Sequence, residues 1–205
     1  MPSCCEPLEG TARNRLPNRV LWVLLAINGV MFLAELAAGL LSHSTALLAD
    51  SLDMLGDSAV YALTLFALGK GTGAEARVSL AKGAIMLAFA FAVLAEGVVK
   101  NRFQLVPDAP AMGAMGLVAL LANATCALLL VRHRTSGINL RSAWICSRND
   151  LFANLGVLLA AGGVAITGSA WPDIAVGAAI ALLFAYSATG VIRESLGYLR
   201  RLGTA

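Results

Sequence analysis

Six apolar stretches, at about 20–42, 46–69, 79–100, 111–132, 143–168 and 172–192, constrain this 205-residue chain more than anything else in it. Each reaches the roughly 20 residues that an α-helix needs to cross the hydrocarbon core of a bilayer. The runs are long, rich in Leu and Ala, and do not alternate, so strands are excluded. Composition agrees: the chain is 59% hydrophobic and 13% charged, where a soluble domain carries about 25% charged residues. Polar or Gly/Pro-containing segments separate the runs, among them "SHST", "NRFQLVPDAP" and "TGSAWPD". The first run is longer than a cleavable signal's core and is read as a retained span. The expected fold is an all-α membrane protein of six transmembrane helices.

Basic residues set the orientation. With both termini in the cytoplasm, twelve Lys and Arg residues lie inside and only Lys100 and Arg102 outside. The expected organisation is a cytoplasmic tail over 1–19, a six-helix transport domain over 20–192 and a short cytoplasmic tail over 193–205. A net charge of +3, with no basic patch interleaved with aromatics, excludes a nucleic-acid partner. Cys4, Cys5, Cys126 and Cys146 form no CxxC pair and no disulfide framework. Without such pairs, and without paired histidines for haem, a membrane oxidoreductase is poorly supported. Spans two and five both carry polar clusters and run in opposite directions, a faint echo of the inverted repeats found in transporters.

Charge inside the spans is the chemical clue. Glu35, Asp50, Asp53, Asp57, Glu96, Arg148 and Asp150 all fall within apolar runs. An ionised group at mid-bilayer costs at least about 2.5–3.5 kcal/mol, so such groups line a pathway or pair with one another. Glu35 and Glu96 lie toward the outer ends of their spans and are read as either reaching water or serving as hydrogen-bonded structural acids. Asp53 and Asp57 are four residues apart, which on a helix brings two carboxylates to one face about 6 Å apart along the axis. Like charges there require a shared proton or a cation. Span five offers Cys146 and Asp150, again four apart, and Asn154 continues that face. If the two spans touch, Asp53, Asp57, Cys146 and Asp150 surround one point, a donor set suited to tetrahedral Zn²⁺ and, through the thiolate, to Cd²⁺. An all-oxygen Mg²⁺ site fits less well. Protonated acids holding helices together by hydrogen bonds are the structural alternative. Asp50 and Asn154 are read as accessory groups. Arg148 points away from Cys146, and neither its role nor that of Cys126 follows from the sequence.

These residues also carry a resemblance. "NGVMFLAELAAGLLSHSTALLADSLDMLGD" resembles the first two spans of the cation diffusion facilitator family, with Asn28, Glu35, Ser42, Ser44, Asp50, Asp53 and Asp57 at its motif positions. "NLRSAWICSRNDLFANLGVLLA" is similar to that family's fifth span, usually His-x-x-x-Asp, with Asp150 at the Asp. The resemblance implies a dimeric six-span exporter exchanging Zn²⁺ or a related divalent ion for protons by alternating access. It implies no permanent cofactor and a place in the bacterial inner membrane. Two departures stand out. Cys146 replaces the usual His, which favours softer ions, and the usual cytoplasmic metallochaperone-like domain is missing, so a homodimer is expected to form through the spans. Cys4, Cys5, Glu6 and His133 are candidates for metal entry, and His43 for exit, although a solvated turn histidine is the blander reading. A metal-binding sensor or scaffold without transport is the alternative function.

Overall fold

A computed structural model of the full chain describes residues 18–66, 72–131 and 138–203, with side chains described over 18–63, 65, 76–131 and 150–201. The described residues form six helices: α1 (Asn18–Ser42), α2 (Thr45–Phe66), α3 (Thr72–Phe103), α4 (Ala109–Val131), α5 (Ile138–Thr167) and α6 (Trp171–Gly203). The described residues of each apolar run lie on one helix. Three helices outrun their spans: α3 starts at Thr72 and α5 at Ile138, while α6 continues to Gly203 through most of the expected tail. Hydropathy marks where a segment enters lipid, whereas helix hydrogen bonds continue into water. Lys82, one of the twelve basic residues counted on the inner side, lies within α3 and is buried.

Among the described residues five helices are long and apolar enough to cross a membrane; α2, with three aspartates in its 22 residues, is not among them. The distribution of side chains is inverted relative to a soluble protein. Leu33, Leu41, Leu159, Ile166 and Leu183 face outward, while Asn28, Glu35, Asp50, Asn123, Lys100 and Asp173 are buried. Only an apolar solvent makes that arrangement favourable, because outward Leu and Ile side chains meet lipid while helices satisfy their own backbone. The protein is an integral, multi-pass membrane protein.

α3 pairs most extensively with α6, α1 with α2, and α4 with α5; α2 also meets α6, α3 and, more narrowly, α5. Local sequence explains the turns at the end opposite the termini. His43 and Gln104 adopt left-handed φ of 54° and 53°, and Gly168 of 60°. After α1, the Ser44 N–H reaches back to the Gly39 carbonyl (2.9 Å), and after α3 the Leu105 N–H reaches the Lys100 carbonyl (3.2 Å). Both are the six-to-one bond of a Schellman cap. Gly168 closes α5 by the simpler cap, its N–H bonding the Val164 carbonyl at 2.8 Å. α4 starts at Asp108, whose Oδ1 accepts from the Ala111 N–H (3.3 Å).

The start of α2 is bound with unusual completeness. Ser44 caps it, accepting the Leu47 N–H at 3.1 Å. Asp173 of α6 accepts the next two orphan donors, the Thr45 N–H (2.8 Å) and the Ala46 N–H (3.1 Å), and the Ser44 hydroxyl (2.6 Å). Lys100 of α3 donates to both Asp173 and the His43 carbonyl, and both charged side chains are fully buried. Thr45 Oγ1 donates to Glu96 of α3 at 2.6 Å. Lys100 was expected in the outer loop; instead it closes a clamp between α2, α3 and α6. The buried N-terminus of α2 is thus satisfied by a carboxylate from a neighbouring helix.

Gly177 makes that contact possible. A Cβ there would lie 2.6 Å from the Thr45 carbonyl carbon and 2.8 Å from the Ala46 nitrogen, both backbone atoms. Gly177→Ala is expected to cost about 1–3 kcal/mol through overpacking, read as a lower midpoint of thermal denaturation in detergent. Gly190→Ala, at a position with no neighbour within 4 Å, is the control and should change stability little.

Candidate metal site

Asp53 and Asp57 come from consecutive turns of α2, and Asp150 from α5 where the two helices meet. One carboxylate oxygen from each lies within 4.8 Å of the other two. Asp53 and Asp150 are buried and Asp57 is half-buried. Three acids so close, in a membrane protein, hold either protons or a cation between them. Carboxylate oxygens at this separation can converge on a single divalent ion.

Polar groups on α2 and α5 surround the three acids. The Tyr61 hydroxyl approaches Asp57 Oδ2 at 3.4 Å, a long contact. Asn154 is fully buried and donates its Nδ2 to the Asp150 backbone carbonyl at 2.8 Å, which fixes the amide. Its Oδ1 has no hydrogen-bond partner. This leaves a fixed, unpaired acceptor one turn from Asp150. Lys82 of α3 is the cation whose charge acts on Asp57.

Two further groups lie near the centre, Asn28, which carries part of the family resemblance, and Cys126, whose role did not follow from the sequence. Asn28 is buried and donates to the Leu24 carbonyl (2.9 Å) and to Cys126 Sγ (3.5 Å). Cys126, on α4, feels the charge of Asp57, yet is not among the atoms that converge. Nothing in its spacing marked it, because α4 carries no acid to pair with it. Glu35 is a correction: far from reaching water, it is completely buried. Glu96 is half-buried and serves the clamp through Thr45. His43 is exposed in its turn, and its described contact is made by its carbonyl rather than its ring. Cys146 lies within α5, but its side chain, like that of Arg148, is outside the described residues. Cys4, Cys5, Glu6 and His133 are also outside them.

A bundle of membrane helices with an acidic, cation-sized centre between two of them defines a class: membrane proteins that handle metal cations. The family is then given directly. The model of the cation efflux transmembrane domain matches residues 21–200, and the chain belongs to that family, the cation diffusion facilitators. It is 25% identical over 194 residues to the cation efflux system protein CzcD of Alcaligenes sp. (strain CT14), covering 89% of this chain and 61% of that protein. The same figures hold for the metal cation efflux system protein CzcD of Cupriavidus metallidurans. A cadmium, cobalt and zinc/H(+)-K(+) antiporter of Bacillus velezensis is 25% identical over 191 residues, 85% of this chain and 60% of its own length. The chain thus spans about three fifths of the length of these relatives.

Proposed function

We propose that the protein exports divalent metal cations, Zn²⁺ and also Cd²⁺, from the cytoplasm of a bacterium in exchange for protons. The observation that carries this reading is the convergence of Asp53, Asp57 and Asp150 within 4.8 Å. Relatives named for cation efflux, and one named as a cadmium, cobalt and zinc antiporter, support the direction and the substrate class. Cys146, one turn before Asp150 on α5, is assigned as the fourth ligand.

In this mechanism the ion arrives from the cytoplasmic side and displaces protons from the cluster, since ligation needs deprotonated groups. The site titrates as one unit rather than as separate acids. Access then alternates by tilting of α2 and α5 relative to the other helices. The start of α2 is anchored to α3 and α6 through Asp173, so the tilt pivots near that anchor. Protons from the other side weaken ligation, release the metal and reset the site. A homodimer joined through the spans is part of the same proposal, and sedimentation in detergent reads it directly.

The experiment is metal flux in proteoliposomes under an imposed pH gradient. Proton-coupled Zn²⁺ or Cd²⁺ movement that stops when a protonophore collapses the gradient is expected. Binding without flux would replace this reading with a sensor or scaffold. Cys146→His is expected to move the Cd²⁺-to-Zn²⁺ preference toward Zn²⁺ by about tenfold, the consequence of ~1.4 kcal/mol in relative affinity. An unchanged ratio would remove the thiol from the ligand set.

A further inference from the structure

Glu35 and Asp50 play no part in the mechanism above, yet they are the least satisfied groups among the described residues. Both are completely buried. All four of their carboxylate oxygens lack a hydrogen-bond partner. Asp173, just as deeply buried, shows how this protein treats a structural acid: its oxygens accept from Ser44, Thr45, Ala46 and Lys100. A buried polar group left unsatisfied costs ~1–3 kcal/mol, and more when charged, so four such oxygens call for a ligand.

Their placement says which ligand. Glu35 stands seven residues before the end of α1 and Asp50 five residues after the start of α2, which puts both about 7–11 Å from the turn that joins these helices. The charges of Asp50 and Asp53 act on Glu35, and that of Asp50 acts also on Asp53 and Asp150. The acids Asp57, Asp53 and Asp50 step along α2 by about 6 and then 4.5 Å, toward the end opposite the termini. Glu35 faces the outer part of this row from the neighbouring helix, at a level between Asp50 and Asp53.

We propose that Glu35 and Asp50 form a second divalent-cation station, about one helical turn from the Asp53–Asp57–Asp150 cluster, which receives the ion as it leaves. This rests on the transport reading above. Two carboxylates supply up to four oxygens and a charge of −2, enough to neutralise a divalent ion. With fewer protein ligands and no thiol, the pair holds a Zn²⁺ or Cd²⁺ ion more weakly than the loading site does. Conduction through a membrane needs that gradient: a site attractive enough to enter and weak enough to leave.

The test is equilibrium binding of Cd²⁺ alone to the purified full chain at fixed pH, with stoichiometry read by elemental analysis. Wild type should take up one tight and one weaker ion. Glu35→Gln and Asp50→Asn should each retain the tight ion and lose the weak one. In proteoliposomes their maximal flux should fall on the order of tenfold with half-saturation on the loading side unchanged, the signature of a step after uptake. Asp150→Asn should do the reverse in the binding assay, losing the tight ion and retaining the weak one. Unchanged weak binding in both Glu35→Gln and Asp50→Asn overturns the station, including the case in which the pair carries protons only. Retention of the tight ion in Asp150→Asn would instead overturn the loading site. If a single variant does not fold, Glu35→Asp combined with Asp50→Glu retains both carboxylates and must keep the weak ion; its absence there also sinks the proposal.

Discussion

Asp150→Asn should lose tight metal binding while leaving the metal-free protein at least as stable as wild type. The two halves of this result have one cause. Three carboxylates with oxygens within 4.8 Å of one another repel when no cation lies between them. Replacing one by a neutral amide of the same shape relieves that repulsion, and it removes a charged ligand that a divalent ion requires. Proton-coupled flux should fall at least a hundredfold, equivalent to ~2.7 kcal/mol or more of lost binding. The stability half is measured by thermal denaturation in detergent with and without Zn²⁺. Wild type should gain about 2.7 kcal/mol at a metal concentration one hundred times Kd, and the variant almost nothing. If the three acids were instead a structural hydrogen-bonded cluster, Asp150→Asn would lower the metal-free melting temperature and wild type would not respond to metal. Asp53→Asn should behave in the same way.

The second large effect lies at the clamp. Lys100→Met leaves Asp173 as a buried carboxylate without its counter-charge, although the Ser44, Thr45 and Ala46 donors remain. Breaking a buried pair from one side typically costs about 3–5 kcal/mol, because the remaining charge is uncompensated. Asp173→Leu is expected to be at least as harmful: it strands the Lys100 ammonium and leaves the Thr45 and Ala46 N–H groups at the start of α2 without acceptors. Lys100→Met combined with Asp173→Asn should recover part of the loss, since no bare charge remains and the amide oxygen still accepts from α2. Thermal melts of the two single variants and the double variant give the coupling directly. Additive losses, with the double variant as unstable as the sum of the singles, would show that the pair is not the unit that holds α2 to α3 and α6.

These two regions differ in how far the sequence alone revealed them. The four-residue spacing of Asp53 and Asp57 was legible because helical periodicity places both on one face whatever else the chain does. Asp150 was found by the same logic on α5. Lys100 and Asp173 were not, because Asp173 has no charged neighbour at helical spacing, while Lys100 has only Glu96 of its own helix four residues before it, and each looked like an ordinary residue at a span's end. Their partnership crosses 73 residues of chain, and no local pattern records it. Glu35 was left open between two readings for a related reason. Its position near the end of an apolar run is equally compatible with a side chain reaching water and with one turned into the bundle, and only the packing of α1 on α2 decides between them.

What the sequence by itself determined is one-dimensional: six helices, their limits in lipid, the turns at Gly168 and after α3, and the face on which each acid lies. These follow from hydropathy and backbone periodicity, which act within a few residues of one another. The tertiary structure alone decided which faces meet. It brought Asp150 to Asp53 and Asp57, enclosed Glu35 with Asp50, and turned Lys100 from a surface charge into the counter-ion of a helix cap. In a bilayer the hydrophobic effect does not distinguish one apolar helix face from another. The choice of partners therefore rests on close contacts such as Gly177 against Thr45 and on the pairing of buried polar groups, both of which exist only once the helices have assembled.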